Sequence, residues 1–297
     1  KEGLLPRKDA VINVHFPENE QLKQKALRRF MLEEIFLLEM GILQSRFEVD
    51  KANKGLYKIE NNKELVKQFI RELPYELTRA QKKVIKEIYN ELVKGKILNR
   101  LIQGDVGSGK TLVALMTMLI ALDNGYQACL MAPTEILAEQ HLQTIRDFLQ
   151  GMDIRVELLT GIVKGKKRKE ILDGLATGDI QILIGTHAVI EDPVAFHRLG
   201  VAVIDEQHRF GVAQRAKLWA KSENPPHVLV MTATPIPRTL AMTIYGDLDV
   251  SVIDELPPGR KPIQTLHKFD NQLTSLYQSI RRQINLGRQV YIVFPLI

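Results

Sequence analysis

The amino-acid sequence predicts an α/β fold, a parallel sheet covered by helices on both faces. Three observations predict it. From residue 73 onward, short β-rich runs alternate with helical segments, the pattern of strand-helix-strand units. The runs are apolar almost without interruption, as strands buried on both faces are. One of them passes through a glycine-rich loop straight into a helical segment, which points to a ligand at the carboxyl edge of such a sheet.

Taken in order, residues 1–72 form a helical linker region. A proline-containing extended stretch leads into a helix in which Leu27, Met31, Ile35, Leu38 and Ile42 recur at helical spacing. That stripe is expected to pack on its own domain, because too few heptads are present for a coiled coil with a partner. The polar run Asp50 to Lys63 reads as a loop. Strands are then expected at Leu98–Gln103, Gln127–Ala132, Val156–Leu159, Gln181–Gly185, Val201–Asp205 and His227–Thr232, within a domain spanning 73–256. The stretch Leu256-Pro-Pro-Gly-Arg-Lys-Pro262 reads as an interdomain linker. After it, a helix near Gln272–Asn285 and a strand at Gln289–Phe294 suggest that 257–297 is the truncated start of a second domain. The opening at Lys1 and the buried-strand pattern at the other end both read as cuts in a longer protein.

Composition narrows the class. With 297 residues and 45% hydrophobic content, about two globular domains with buried cores are possible. The balance of 41 Lys+Arg against 35 Asp+Glu leaves a charge of +6, which suits a polyanionic partner without demanding one. The single cysteine, Cys129, excludes an internal disulfide and a cysteine-based zinc site, so a reducing cytoplasm is expected. The longest apolar stretch, Leu112–Leu122, is too short to span a bilayer, and no membrane partner is expected.

Gly104-Asp105-Val106-Gly107-Ser108-Gly109-Lys110-Thr111 fits G-x-x-x-x-G-K-[ST] between a strand and a helical run. The pattern should arise by chance only about 0.01 times in a chain of this length, so a merely structural turn is the weaker reading. Glycines let N–H groups turn inward around phosphates, Lys110 reaches the β and γ phosphates, and the Thr111 hydroxyl suits Mg2+. The ligand implied is ATP. Asp205, at the end of an apolar strand, is the second metal-side candidate, and Glu206 beside it is the candidate that positions and deprotonates the attacking water. The alternative for either carboxylate is a solvated strand end.

These residues, with others, resemble the superfamily 2 nucleic-acid helicases. Pro74-Tyr-Glu-Leu77-Thr78-Arg-Ala-Gln81 resembles the Q motif, and Ala132-Pro-Thr134-Glu-Ile-Leu-Ala-Glu-Gln-His141 resembles motif Ia. Gly185-Thr186-His-Ala is similar to a later DNA-contact motif, Asp205-Glu-Gln-His208 to a DEAH-like box, and Thr232-Ala-Thr234 to motif III, all in the family's order. Further runs, Asp205 to Val212 with Gln214-Arg215, Thr232 to Thr239, and Leu256 to Arg260, resemble the RecG-type branch. Transcription-repair coupling translocases are similar over several of these segments and are the runner-up. The resemblance implies a RecA-like first motor domain and ATP-driven remodelling of branched DNA, stalled forks and Holliday junctions, in the bacterial cytoplasm. A monomer is the expected form.

The resemblance also assigns roles. Gln81 would recognise adenine, although Thr78-x-x-Gln81 is equally a capping box. Thr134 and Thr186 would meet DNA phosphates, with helix capping as their alternative. His208, Thr232 and Thr234 would link γ-phosphate occupancy to domain movement. Arg209 and Phe210 would belong to a DNA-sensing loop, with core packing the alternative for Phe210. The arginine finger expected in a second motor domain is not within these residues, so slow hydrolysis by this chain alone is expected. The run Lys164-Gly-Lys-Lys-Arg-Lys169 reads first as a solvated helix start and second as a DNA contact. Trp219 reads as core, and the scattered histidines lack metal-ligand spacing. Two other classes stay in view: a P-loop enzyme of small molecules, which leaves the other motifs unexplained, and a DNA scaffold that binds ATP without turnover.

Overall fold

The computed structural model describes residues 3–52, 59–60, 63–206, 217–218, 221, 225–234, 248–255 and 263–293. The chain divides into two compact units, Lys1–Pro257 and Pro258–Ile297. In the first, α1 (Arg7–His15), α2 (Glu20–Ala52), α3 (Glu64–Glu72) and α4 (Arg79–Val93) precede the sheet. There follow β1 (Asn99–Gly104), α5 (Lys110–Leu122), β2 (Gln127–Met131), α6 (Glu135–Phe148), β3 (Val156–Leu159) and α7 (Gly165–Thr177). β4 (Ile182–Gly185), a 3-10 turn at His187–Ile190, β5 (Leu199–Asp205), β6 (His227–Thr232) and β7 (Asp249–Ile253) complete it.

The strands form one parallel sheet in the order β3-β4-β2-β5-β6-β1-β7. The six expected strands are all present, within two residues at their ends. β7 is a seventh strand, beyond the six expected. Its residues are exposed and buried by turns because it lies at an edge, so it lacks the continuous apolar run of the others. It is fixed by charge. Arg100 of β1, buried, pairs with Glu87 and Glu91 of α4 and donates to Ser251 Oγ of β7 at 2.5 Å, while that hydroxyl donates to Glu87 Oε2 at 2.6 Å.

α5 is buried from Leu112 to Ala121 on every side, which is why its sequence shows no polar face. Its one hydroxyl there, Thr117, is satisfied by donating to the Val113 carbonyl at 2.9 Å. α3 docks on the far end of α5. Asp123 accepts from the Leu65 N–H at 3.0 Å, satisfying an otherwise orphan donor of the α3 first turn, while Val66 and Phe69 enter the core.

Three expectations outside the sheet are corrected. The stretch after Pro6 is helical, not extended, since α1 begins at Arg7 and lays Ala10 and Asn13 against its surroundings. The stripe on α2 does not pack on its own domain among the described residues. Met31, Ile35 and Leu38 are each more than half exposed, because α1 covers the first part of the helix and no described element covers its remainder. In the second unit the expected helix is present as α8 (Leu273–Asn285), but residues 289–293 form no strand. A strand needs a neighbour for its backbone groups, and Tyr291 and Val293 lie exposed instead. No described helix is long and apolar enough to cross a membrane.

Candidate active site

The carboxyl ends of β1, β6 and β5, adjacent in the sheet, bring the predicted chemistry together. From β1 the chain enters the loop 104–109 and turns into α5 at Lys110. Two glycines are required here by geometry. Gly109 has φ +88°, and a Cβ on it would lie 2.2 Å from Gln81 Nε2; a Cβ on Gly104 would lie 2.5 Å from Ser108 Oγ. Any side chain at 109 would therefore be strained and would displace Gln81.

Gln81 is buried and doubly engaged. The Gln81 N–H donates to Thr78 Oγ1 at 3.2 Å, the Thr78 N–H donates to Gln81 Oε1 at 2.9 Å, and Nε2 donates to the Ser108 carbonyl at 2.9 Å. The capping box is thus formed, and the same amide braces the loop. Two residues beyond Ser108, Lys110 folds its ammonium over the loop, donating to the Gly104 and Asp105 carbonyls at 2.8 and 3.0 Å. Burial lowers the Lys110 pKa from its ordinary value, opposed by the negative charges of Asp205, Glu206 and Asp105. All three carboxylates therefore lie close enough to be felt at the ammonium.

Glu206, the residue after β5, is in a left-handed conformation, φ +52°, which for a residue with a side chain costs about 1–3 kcal/mol. The strain is held from both sides. The Glu206 N–H donates to the Met231 carbonyl at 2.9 Å, and the carboxylate accepts from the Ala233 N–H at 3.1 Å and the Thr232 hydroxyl at 3.4 Å. Thr232 also accepts from the Thr234 N–H at 3.1 Å, so the two threonines of the motif III-like segment form one turn against Glu206.

Asp205, one residue earlier, meets a residue to which motif reasoning assigns no role. His141 Nε2 lies 2.8 Å from Asp205 Oδ2, the two side chains being 12% and 13% exposed. The signal was available in the helical pattern, since His141 falls between Ala138 and Ile145 on the buried stripe of α6.

Of the remaining strands, β2, β4 and β3 end in a different set. Thr134 is the N-cap of α6 and accepts from the Leu137 N–H at 3.3 Å. Thr186 follows β4 and makes no side-chain cap bond. Lys164 to Lys169 opens α7, with no acidic residue in its first turn. His208, Arg209 and Phe210, with Gln214, Arg215 and Trp219, lie outside the described residues.

The loop suits phosphate and its counter-ion. Ser108 Oγ is buried without a hydrogen-bond partner among the described residues, the α5 N–H groups ahead of Leu112, which itself donates to the Gly109 carbonyl, have no carbonyl one turn back within the helix, and Thr111 and Asp205 supply the hard oxygen donors that magnesium takes.

Comparison with known proteins agrees with this arrangement. The family profile for DEAD/DEAH box helicases matches residues 78–243. The chain is 52% identical over 297 residues to the ATP-dependent DNA helicase RecG of Synechocystis sp., covering all of this chain and 36% of that protein. It is 47% identical over 284 residues to RecG of Bacillus subtilis, covering 96% of this chain and 41% of that one. A solved structure of RecG bound to a three-way DNA junction superposes with a TM-score of 0.85 at 40% identity, over 100% of this chain and 40% of that chain. The chain thus spans about two fifths of the length of these relatives. With a RecA-like sheet, a phosphate loop and a matching profile over more than half its residues, the chain belongs to the DEAD/DEAH box helicase family and is similar along its whole length to RecG helicases.

Proposed function

We propose that this chain is the first motor half of an ATP-driven DNA helicase that remodels branched DNA, with 73–256 as its nucleotide-binding domain, 1–72 as a linker and 257–297 as the start of a second motor domain. One observation carries the proposal: phosphate loop, Asp205 and a strained, doubly held Glu206 converge at adjacent strand ends. The RecG relatives and the junction-bound RecG structure support DNA, branched, as the partner.

In this reading the loop N–H groups and Lys110 bind the phosphates, the ammonium exchanging two carbonyls for phosphate oxygens. Magnesium, held by Thr111 and Asp205, would supply charge neutralisation on the β and γ oxygens. Glu206 accepts the proton of the attacking water, and its Thr232 and Ala233 contacts fix the carboxylate in place for it. Those contacts make γ-phosphate occupancy felt at the motif III-like turn. Gln81 acts by bracing the loop from behind, with its family role toward adenine kept as part of the proposal. Thr134 and Thr186 serve the strand, and the setting is the bacterial cytoplasm.

The test is ATP hydrolysis by the chain extended to the length of its relatives, without DNA, with linear duplex, and with a forked or four-way junction. Stimulation by branched DNA, reduced about 10²- to 10³-fold by Lys110→Ala, is expected. Equal stimulation by linear duplex would favour a general translocase, and no DNA dependence would end the helicase reading.

A further inference from the structure

Three facts meet at His141. First, it is a polar residue on a buried helical stripe, flanked one turn away on either side by Ala138 and Ile145, both fully buried. Placing an imidazole there is unfavourable unless it is paired. Second, its partner is Asp205 Oδ2 at 2.8 Å, a hydrogen bond that forms to a carboxylate oxygen when Nε2 carries the hydrogen. Third, the contact crosses between the two sets of strand ends: α6 follows β2, while Asp205 closes β5, the neighbour of β2 in the sheet.

We propose that His141 is a positioning residue that holds the Asp205 carboxylate for the metal and ties that carboxylate to the first turn of α6. The proposal rests on the ATPase reading above and adds a link to it. Thr134, the N-cap of α6, stands seven residues before His141, two turns and about 10 Å along the same face of one helix. A helix of this kind moves as a unit. When the α6 N-terminus meets a phosphate strand, His141 moves with it, and the carboxylate that orients the metal is the group it touches. With Oδ2 engaged by the imidazole, Oδ1 is the oxygen that would remain for a metal. Outer hydrogen-bond partners of this kind are worth about 10- to 100-fold in metal affinity.

The probe is Mn2+, measured by its electron paramagnetic resonance signal with a non-hydrolysable ATP analogue, on the chain extended to the length of its relatives. Wild type is compared with His141→Leu, which removes the donor, His141→Gln, whose Nε2 reaches the position of the imidazole Nε2, and His141→Asn, whose amide falls short. Metal-free nucleotide binding and thermal midpoint are recorded for each. The expected result is roughly tenfold weaker Mn2+ binding in the Leu and Asn variants and near wild-type binding in Gln, with metal-free nucleotide binding unchanged in all. Duplex DNA should shift Mn2+ affinity in wild type and Gln but not in Leu and Asn. Equal Mn2+ affinity in all four proteins overturns the proposal, as does loss of metal-free nucleotide binding in step with metal binding, which would mark a purely structural residue. If His141→Leu does not fold, the Asn and Gln pair decides by the same criterion. Wild type that binds no Mn2+ with nucleotide would remove the ATPase reading itself, whereas wild-type binding with unaffected variants removes this proposal alone.

Discussion

The carboxyl edge of the sheet is two sites of different construction. At the ends of β1, β6 and β5 nearly every polar group is held by another: Gln81 by Ser108, Lys110 by the loop carbonyls, Glu206 by Thr232 and Ala233, and Asp205 by His141. At the ends of β2, β4 and β3 the groups are single hydroxyls and exposed lysines, at or near helix starts. Under the proposed function the difference has a physical reason. Bond-making chemistry loses rate when its groups move by an ångström, so it is built as a closed network. Contacts to a phosphate backbone position a strand without reading it and tolerate looser construction.

The largest expected effect comes from opening the closed half. Glu206→Gln keeps shape and removes the proposed base, so kcat for ATP should fall about 10²- to 10⁴-fold while nucleotide binding is retained. Thr232→Val removes one of the contacts that hold the carboxylate, and kcat should fall about tenfold with KM little changed. Single-turnover hydrolysis beside fluorescent-nucleotide binding checks both. If Thr232→Val raised KM and spared kcat, the network would serve binding and the contrast between halves would weaken.

Breaking contacts at the opposite, amino edge of the sheet, away from both halves, should cost stability instead. Gln127 of β2 donates to the Leu175 and Ile180 carbonyls at 3.0 and 2.7 Å and accepts from the Arg198 N–H at 3.0 Å, all buried or nearly so. Gln127→Leu strands those groups, and denaturant unfolding should show a loss of about 2–4 kcal/mol. ATP affinity of the folded protein should be unchanged.

β6 lets the comparison be made along one strand. Its carboxyl end is Thr232, in the site; its first residue, His227, is wholly buried and accepts from the Leu98 N–H through Nδ1 at 3.0 Å. Burial pushes the His227 pKa down to about 3. The unfolded chain takes up a proton near pH 6.5 and the folded one does not, so stability falls as pH drops from about 6.5 toward 3, by about 1.4 kcal/mol per pH unit. Above pH 6.5 both states are neutral and the group adds no pH dependence. His227→Asn keeps an acceptor for Leu98 and should flatten that acid limb, measured as the difference from wild type, without altering kcat at neutral pH.

Much of this was legible. Six strands, the phosphate loop and the acid pair follow from apolar runs and from a spacing that phosphate geometry imposes. What was not legible depended on neighbours. β7 reads as half-polar because an edge is half-covered, and the α2 stripe satisfies helical periodicity whether or not anything lies against it. Residues 289–293 have strand chemistry and, among the described residues, pair with no strand. Within the site, the burial of His141 on the α6 stripe is a local pattern, but its contact with Asp205 and the left-handed Glu206 arise from chain paths through three strands, which no local pattern encodes. Gln81 is intermediate: its capping box is a local pattern, its grip on Ser108 is not.

The smallest effect tests the open half most directly. Lys166 and Lys167 stand exposed in the first turn of α7, where the helix dipole disfavours cations, and Lys166 has only a loose contact with Glu170 at 3.8 Å. As a solvated helix start, this turn should gain from reversal of charge. Lys166→Glu with Lys167→Glu should stabilise the chain by roughly 0.3–1 kcal/mol per residue at low salt and leave nucleotide binding alone. The slope of log affinity for DNA against log salt should then stay as in wild type. If instead it drops by about 0.9 for each lysine reversed, these cations neutralise phosphates, and the open half extends from Thr134 and Thr186 to the start of α7. Either slope keeps the contrast with the closed half, because neither substitution reaches Lys110, Asp205 or Glu206.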